Sequence, residues 1–247
     1  MTLEQFFIEN PKTAIGFSGG VDSSYLLYAG LRLGAEIQAY YVKSVFQPEF
    51  EYQDALRLAK LIGANIKVLT VNPLADSAVV SNPPDRCYRC KLAIFGTLKT
   101  QALADGYRVI IDGTNASDDA GDRPGIKALE ELAVRSPLRE SGITKDEIRR
   151  LSKDAGLFTW DKPAYACLAT RIPYGHEITV DLLQRVEKAE DALFGLGFTD
   201  FRVRVYKEAA RLQFPQNQEA SALAKKADII KAVKPHFKAV LLDLEGR

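Results

Sequence analysis

The chain of 247 residues is short of several things, and each shortage excludes something. No apolar run approaches the roughly 20 residues that cross a bilayer, so no membrane anchor is expected. The opening stretch MTLEQFFIEN is acidic and has too little apolar length for a signal peptide, which points to the cytoplasm. Lysine and arginine number 33 against 32 aspartates and glutamates, a net charge of +1, so no field of one sign dominates. A protein that holds a long nucleic acid through its phosphates is usually more basic, and nucleic acid is not an expected partner. Cysteine occurs three times, an odd count that argues against a disulfide framework and for metal or catalytic use. The two histidines, His176 and His236, have no partnered spacing. There is no internal repeat, no Gly-x-Gly-x-x-Gly, and no glycine loop ending in Gly-Lys-Ser/Thr.

What is present is ordinary in bulk, 47% hydrophobic and 26% charged, and fits one large domain with a smaller appendage. Apolar runs and helical patterns alternate through the first two-thirds. Strands are expected at Thr13–Phe17, Ile37–Val42, Ile66–Val71 and Arg108–Asp112, with helices at Ser23–Leu33, Glu51–Ile62 and Leu92–Ala104. That order reads as an α/β fold, a parallel sheet with helices on both faces. Thr144 and Glu147 have the spacing of a capping box opening a helix at Lys145–Ala155. After Pro163 the pattern changes. Leu182, Leu183, Val186, Ala189, Leu193 and Leu196 make a helical stripe, and period-two alternation follows at Phe201–Tyr206 and Ala210–Phe214. A helix near Gln218–Val233 and a strand at Phe237–Leu244 complete a small C-terminal α+β unit, so the expected division is 1–162 and 163–247.

Three segments carry chemistry. Ser18-Gly19-Gly20-Val21-Asp22-Ser23-Ser24 joins the first strand to the first helix. Strand, glycine turn and helix put free N–H groups and the positive end of a helix against an anion. Gly113-Thr114-Asn115 follows the fourth strand and faces the same crevice, because ligands sit at the carboxyl ends of parallel strands. Cys87-x-x-Cys90 lies among Arg86, Arg89 and Lys91, cations that favour the thiolates which bind metal or attack electrophiles. With Cys167, these thiols suit a 4Fe-4S cluster with one open iron, or zinc with a fourth ligand. Packing and chemistry are both open for Cys167 itself. Alternation places Arg202 and Arg204 on one face of their strand, and Arg211 joins them if the hairpin pairs its apolar faces. A solvated face and a phosphate or carboxylate site both fit that pattern.

SGGVDSS resembles the PP-loop of ATP pyrophosphatases, which cleave ATP between the α and β phosphates. With NPPDRCYRCK, DGTNASDDAGDRPG, VRSPLRESGITKDEIR, WDKPAYACLATRIPYG and LLDLEGR, nearly the whole chain resembles the LarE family of ATP-dependent sulfur transferases. The resemblance implies ATP and Mg2+, adenylation of a carboxylate on a pyridinium mononucleotide, and sulfur transfer to give a thiocarboxylate for a nickel-pincer nucleotide cofactor. It implies that Ser18, Gly19, Gly20, Asp22, Ser23 and Ser24 hold the pyrophosphate, with Asp22 alternatively positioning magnesium or capping the helix, and that Cys167 and Asp22 are catalytic. Gly113, Thr114 and Asn115 line the nucleotide crevice, with Asp118 and Arg123 beside them. Arg171, Arg202, Arg204 and Arg211 bind substrate. Members with one cysteine, matching Cys167, resemble sacrificial sulfur donors. Members with three resemble enzymes whose 4Fe-4S cluster, on Cys87, Cys90 and Cys167, carries a sulfide from an outside donor. The family's expected assembly is a trimer-based hexamer. Val205-Tyr206-Lys207 and Gln213 depart from the family's usual aromatic-His-Gly and acidic residue. The rival readings are a PP-loop tRNA thiolase, an ammonia-using amide ligase and a nucleotide-binding module with structural zinc.

Overall fold

The computed structural model describes residues 1–118 and 124–246. The chain divides into two compact units, Met1–Pro73 with Asp85–Lys162, and Leu74–Pro84 with Pro163–Arg247. The first opens with α1 (Leu3–Glu9), β1 (Lys12–Gly16), α2 (Val21–Arg32), β2 (Glu36–Lys43), α3 (Glu49–Ile62) and β3 (Ile66–Thr70). A short excursion into the second unit carries α4 (Ser77–Val80). The first unit resumes with α5 (Arg86–Ala104), β4 (Val109–Ile111), α6 (Pro124–Glu131), α7 (Pro137–Glu140) and α8 (Lys145–Asp154).

The four strands pair in parallel in the order β3-β2-β1-β4. Successive side chains of a strand point to opposite faces, and both faces here are covered. Ile15, Ile37, Ala39, Tyr41 and Ile111 pack against Leu26 and Leu27 of α2 and Ala55 and Leu58 of α3. Ala14, Tyr40, Val42 and Ile110, one step out of phase, pack against Leu98 and Ala102 of α5. Each leucine buried in these layers contributes about 1.5–3 kcal/mol. From β1 the sheet grows through β2 to β3 on one side, and β4 then returns to the other flank of β1. The order therefore reverses between β1 and β4, and in such sheets the carboxyl ends at that switch point are where ligands bind.

The expected strands and helices of this sheet are present with ends shifted by a few residues, apart from one larger correction. The helix expected from Leu92 begins at Arg86, so the C-x-x-C is the first turn of α5 rather than a polar approach to it. Apolar periodicity starts only at Leu92, but Pro83, Pro84 and Asp85 already form the start signal. Of the capping box at α8, the structure shows the half in which Thr144 accepts the Glu147 N–H.

The second unit contains α9 (Val180–Gly195), β5 (Arg202–Tyr206), β6 (Ala209–Gln213), α10 (Gln216–Ala224), α11 (Lys226–Val233) and β7 (Ala239–Leu242). β5 and β6 form an antiparallel hairpin, and β7 joins β6 in parallel. The helix expected at Gln218–Val233 is two helices, broken at Lys225 (φ −93°, ψ 19°), which caps both. In the stripe on α9, Leu183, Val186, Ala189 and Leu193 are buried, whereas Leu182 and Leu196 are half-buried. The segment at 74–84 is tied in by Asn82, whose Nδ2 donates to the Ile172 and Pro173 carbonyls at 3.2 and 2.8 Å. Among the described residues no helix is long and apolar enough to cross a membrane.

Candidate active site

The glycine turn after β1 leads straight into the N-terminus of α2, the geometry that suits an anion. Gly19 takes φ +73°, a left-handed conformation that glycine adopts without strain, and its Cα faces the Ala55 backbone. Gly20 caps α2 and supplies no side-chain acceptor, so the first-turn N–H groups face outward. Ser23 Oγ braces the loop from below, 3.1 Å from Ser18 Oγ, accepting the Ser18 N–H and donating to the Gly20 carbonyl. Ser18 is exposed, whereas Ser24 is fully buried with its hydroxyl unpartnered.

The turn after β4 meets this one directly. A Cβ on Gly113 would stand 2.7 Å from the Ser23 N and 3.2 Å from the Asp22 carbonyl carbon, so only glycine allows that approach. Thr114 is occupied locally, donating its N–H and hydroxyl to Asp112, which also accepts from Ser136 Oγ at 2.7 Å. Asn115 is buried and donates to Asp22 Oδ1 at 3.3 Å. Asp118 accepts the Asn115 N–H at 3.0 Å. Arg123 lies outside the described residues.

Sequence reasoning missed Lys145. It is the first residue of α8, its N–H bonds Ser117 Oγ at 2.9 Å, and its ammonium stands 2.6 Å from Asp22 Oδ2. The signal was legible in principle, since a cation at a helix N-terminus opposes the macrodipole. Burial pushes the Asp22 carboxyl above its ordinary value, and the Lys145 hydrogen bond and charge hold part of that shift back. Among the described residues, Asp22, Asp118 and the Lys145 ammonium thus stand near one another with a set of open N–H groups around the end of α2.

In the first turn of α5, Cys87 is half-buried and Cys90 buried. Three residues apart, they share a face of the helix, and the Arg86 guanidinium lies 3.7 Å from Cys87 Sγ. Among the described residues, no group of three or more His, Cys, Asp or Glu side chains stands together to hold a metal ion.

In the second unit, Cys167 is half-buried at the start of a 3-10 turn, Leu168–Arg171. Arg171 is only 1% exposed and makes a forked ion pair with Glu190 at 2.9 and 3.2 Å, which keeps its pKa high against burial. The hairpin register sets Arg204 opposite Arg211 and Arg202 opposite Gln213. Arg202 and Arg171 both lie over the Tyr165 ring, at 5.1 and 4.5 Å. Burial, then the Arg171 charge, lowers Arg202 to about 10, and the same causes with Arg211 lower Arg204. The expected convergence of Arg202, Arg204 and Arg211 is present. Among the described residues, Glu190 pairs with Arg171 and Asp243 with Arg211, and Arg202 and Arg204 have no ion pair of their own. Glu190 and Tyr165 were also missed by sequence reasoning. Glu190 follows Leu183 and Val186 at helical spacing, a charge on an apolar stripe.

No protein-family model matches the chain. An uncharacterized protein of Synechocystis is 40% identical over 99% of this chain and 92% of its own length. The pyridinium-3,5-bisthiocarboxylic acid mononucleotide synthase of Lactiplantibacillus plantarum is 32% identical over 95% of this chain and 86% of its own. A tRNA-specific 2-thiouridylase of Thermotoga petrophila is 26% identical over 59% of this chain and 52% of its own. With a sheet whose order reverses at a PP-loop and with a relative matched almost from end to end, the chain belongs to the LarE family, that of the pyridinium-3,5-bisthiocarboxylic acid mononucleotide synthases.

Proposed function

We propose that this protein is an ATP-dependent sulfurtransferase that converts a carboxylate of a pyridinium mononucleotide into a thiocarboxylate. The observation that carries the reading is the switch-point crevice, where the N–H groups of α2, Asp22 and Lys145 converge. The nucleotide chemistry is assigned to the first unit (Met1–Pro73 with Asp85–Lys162), and substrate binding and assembly, as a homo-oligomer of hexameric type, to the second (Leu74–Pro84 with Pro163–Arg247).

A carboxylate is a poor acyl donor, and adenylation corrects that. The substrate carboxylate oxygen attacks the α-phosphorus of ATP, the bond to the β-phosphate oxygen breaks, and pyrophosphate leaves. Negative charge grows on the leaving pyrophosphate, where Ser18, Gly19, Gly20, Ser23 and the Lys145 ammonium stabilise it. Asp22, half-buried and already facing a cation, has the chemistry to hold Mg2+. Asn115, bonded to Asp22, orients that carboxylate, and Gly113, Thr114, Asp118 and Arg123 are assigned to the nucleotide crevice. A sulfur nucleophile then attacks the acyl carbon, expels AMP and leaves the thiocarboxylate. Arg202, Arg204 and Arg211 supply the surplus charge for the substrate phosphate.

The sulfur is assigned to a 4Fe-4S cluster on Cys87, Cys90 and Cys167. Two thiols on one face of a helix's first turn, beside Arg86, fit such a ligand set. When bound, the cluster supplies an open iron that holds a sulfide from an outside donor.

The test is anaerobic turnover with MgATP, the dicarboxylate mononucleotide and sulfide, with iron and labile sulfide measured per chain. Substrate-dependent pyrophosphate release, many thiocarboxylates per chain and about one cluster support the reading. One turnover with dehydroalanine at position 167 replaces the cluster route by sacrifice of the Cys167 sulfur. No substrate-dependent pyrophosphate release overturns the activity.

A further inference from the structure

Glu190 takes no part in the chemistry above, yet it organises the segment that carries Cys167. It is 1% exposed on the apolar stripe of α9. A carboxylate stays charged in such a place only if it is paired and hydrogen-bonded. Glu190 accepts from Arg171 Nε and Nη2, from the Val203 N–H at 2.9 Å and from the Tyr165 hydroxyl. The fork leaves Arg171 Nη1 aimed the other way, where it donates to the Ala166 carbonyl and Thr170 Oγ1, each at 2.9 Å. The Thr170 hydroxyl in turn donates a hydrogen bond to the Cys167 carbonyl at 2.8 Å. Arg202 Nη2 holds the Ala164 carbonyl, and Arg204 Nη1 holds that of Thr170 at 2.8 Å.

Residues 163–167 belong to no helix or strand, so their carbonyls need partners from elsewhere. Two guanidinium groups meet that need, Arg202 at Ala164 and Arg171 at Ala166. A third, Arg204, holds the Thr170 carbonyl beyond the thiol, and the most buried of the three, Arg171, is set in place by Glu190. Arginine is the side chain for this work, because one planar fork serves a carboxylate and its far edge serves the main chain.

We propose that Glu190 is a positioning residue for Cys167. It fixes Arg171, and through Arg171 and Thr170 it fixes the 164–170 segment around the thiol. The proposal rests on Cys167 being the reacting thiol, but its test does not use the reaction.

The test compares the full-length protein with Glu190→Gln, with Arg171→Lys and with a Glu190→Leu/Arg171→Leu pair. Two readouts are taken by peptide mass spectrometry: hydrogen exchange across the chain and the alkylation rate at Cys167. Glu190→Gln and Arg171→Lys are expected to speed both exchange at 164–171 and Cys167 alkylation at least tenfold, with β5, β6 and β7 still protected. The apolar pair separates positioning from plain core filling. It is expected to restore the melting temperature while leaving the segment fast. Exchange and alkylation at wild-type rates in Glu190→Gln and Arg171→Lys overturn the proposal, as does an equal loss of protection throughout the second unit. If Cys167 proves dispensable for sulfur transfer, the functional reading falls while these rates still report on the clamp.

Discussion

Replacing Lys145 by methionine distinguishes a phosphate ligand from a mere counterion. Methionine keeps the apolar stem and removes the charge. Asp22 and Lys145 are 2.6 Å apart, with side chains 23% and 29% exposed, so their surroundings are neither bulk water nor dry interior. At an effective dielectric near 20, unit charges about 4 Å apart interact by about 4 kcal/mol. A nucleotide does not gain all of this, because the ammonium leaves one anion for another. What remains is of the order of one charged hydrogen bond, about 1.5–3 kcal/mol, or MgATP binding weaker by about 10- to 100-fold. AMP lacks the β and γ phosphates, so its affinity is expected to change by less than about twofold (~0.4 kcal/mol). Titration calorimetry with both nucleotides makes the comparison. Equal losses for ATP and AMP refute the assignment, and so does tighter ATP binding, which marks Lys145 as the partner of Asp22 alone.

Two more predictions follow from the same crevice. Burial raises the folded pKa of Asp22 above its ordinary 3.8, so the folded state binds more protons than the unfolded state between those values. Stability therefore rises as pH falls through the raised value, and the ionised carboxylate is a liability at neutral pH. Asp22→Asn without nucleotide is expected to melt at or above the wild-type temperature at pH 7, with the advantage gone below the ordinary aspartate range, and to lose MgATP binding. A lower melting temperature at pH 7 contradicts this. Gly113→Ala puts a methyl 2.7 Å from the Ser23 backbone N, which has no flexible end to yield. About 1–3 kcal/mol of stability is expected to go, with much of the ATP affinity. The same change at Gly96 in α5, where nothing lies within 4 Å, is expected to be neutral or stabilising by about 0.5–1 kcal/mol in urea unfolding.

The parts of this protein that obey local rules were legible in its sequence. The four strands of the sheet, the glycine turn and the hairpin could be read because period-two and helical patterns report burial along one element at a time. The first turn of α5 was lost because Arg86 to Lys91 has no apolar stripe, although Pro83, Pro84 and Asp85 announce the helix. Lys145 and Glu190 failed for another reason. Each acts through a residue far away in the chain, Asp22 and Arg171, and periodicity says nothing about such pairs. Both nonetheless break a local rule, a cation at a helix start and a carboxylate on an apolar stripe. Conflicts of that kind are expected at functional or supporting sites.

A net charge of +1 conceals how the charges are arranged. On β5 and β6 the arginines at 204 and 211 stand directly opposite each other, a placement that costs stability in a sheet. Gln213 does not relieve it, for it accepts from Arg204 and donates to Asp243 without adding a negative charge. Asp243 lies 3.5 Å from Arg211 and offsets one cation, and Glu190 offsets Arg171. Arg202, lowered only to about 10, stays charged at neutral pH. Among the described residues Arg202 and Arg204 therefore lack an ion pair of their own, and on the proposed reading a substrate phosphate relieves their repulsion as well as making new hydrogen bonds. Where these arginines also hold the carbonyls beside Cys167, the same anion changes the balance of forces on the segment that carries the thiol. On the proposed reading, substrate charge and thiol position are linked through guanidinium groups common to both, and a bland overall charge is no guide to that linkage.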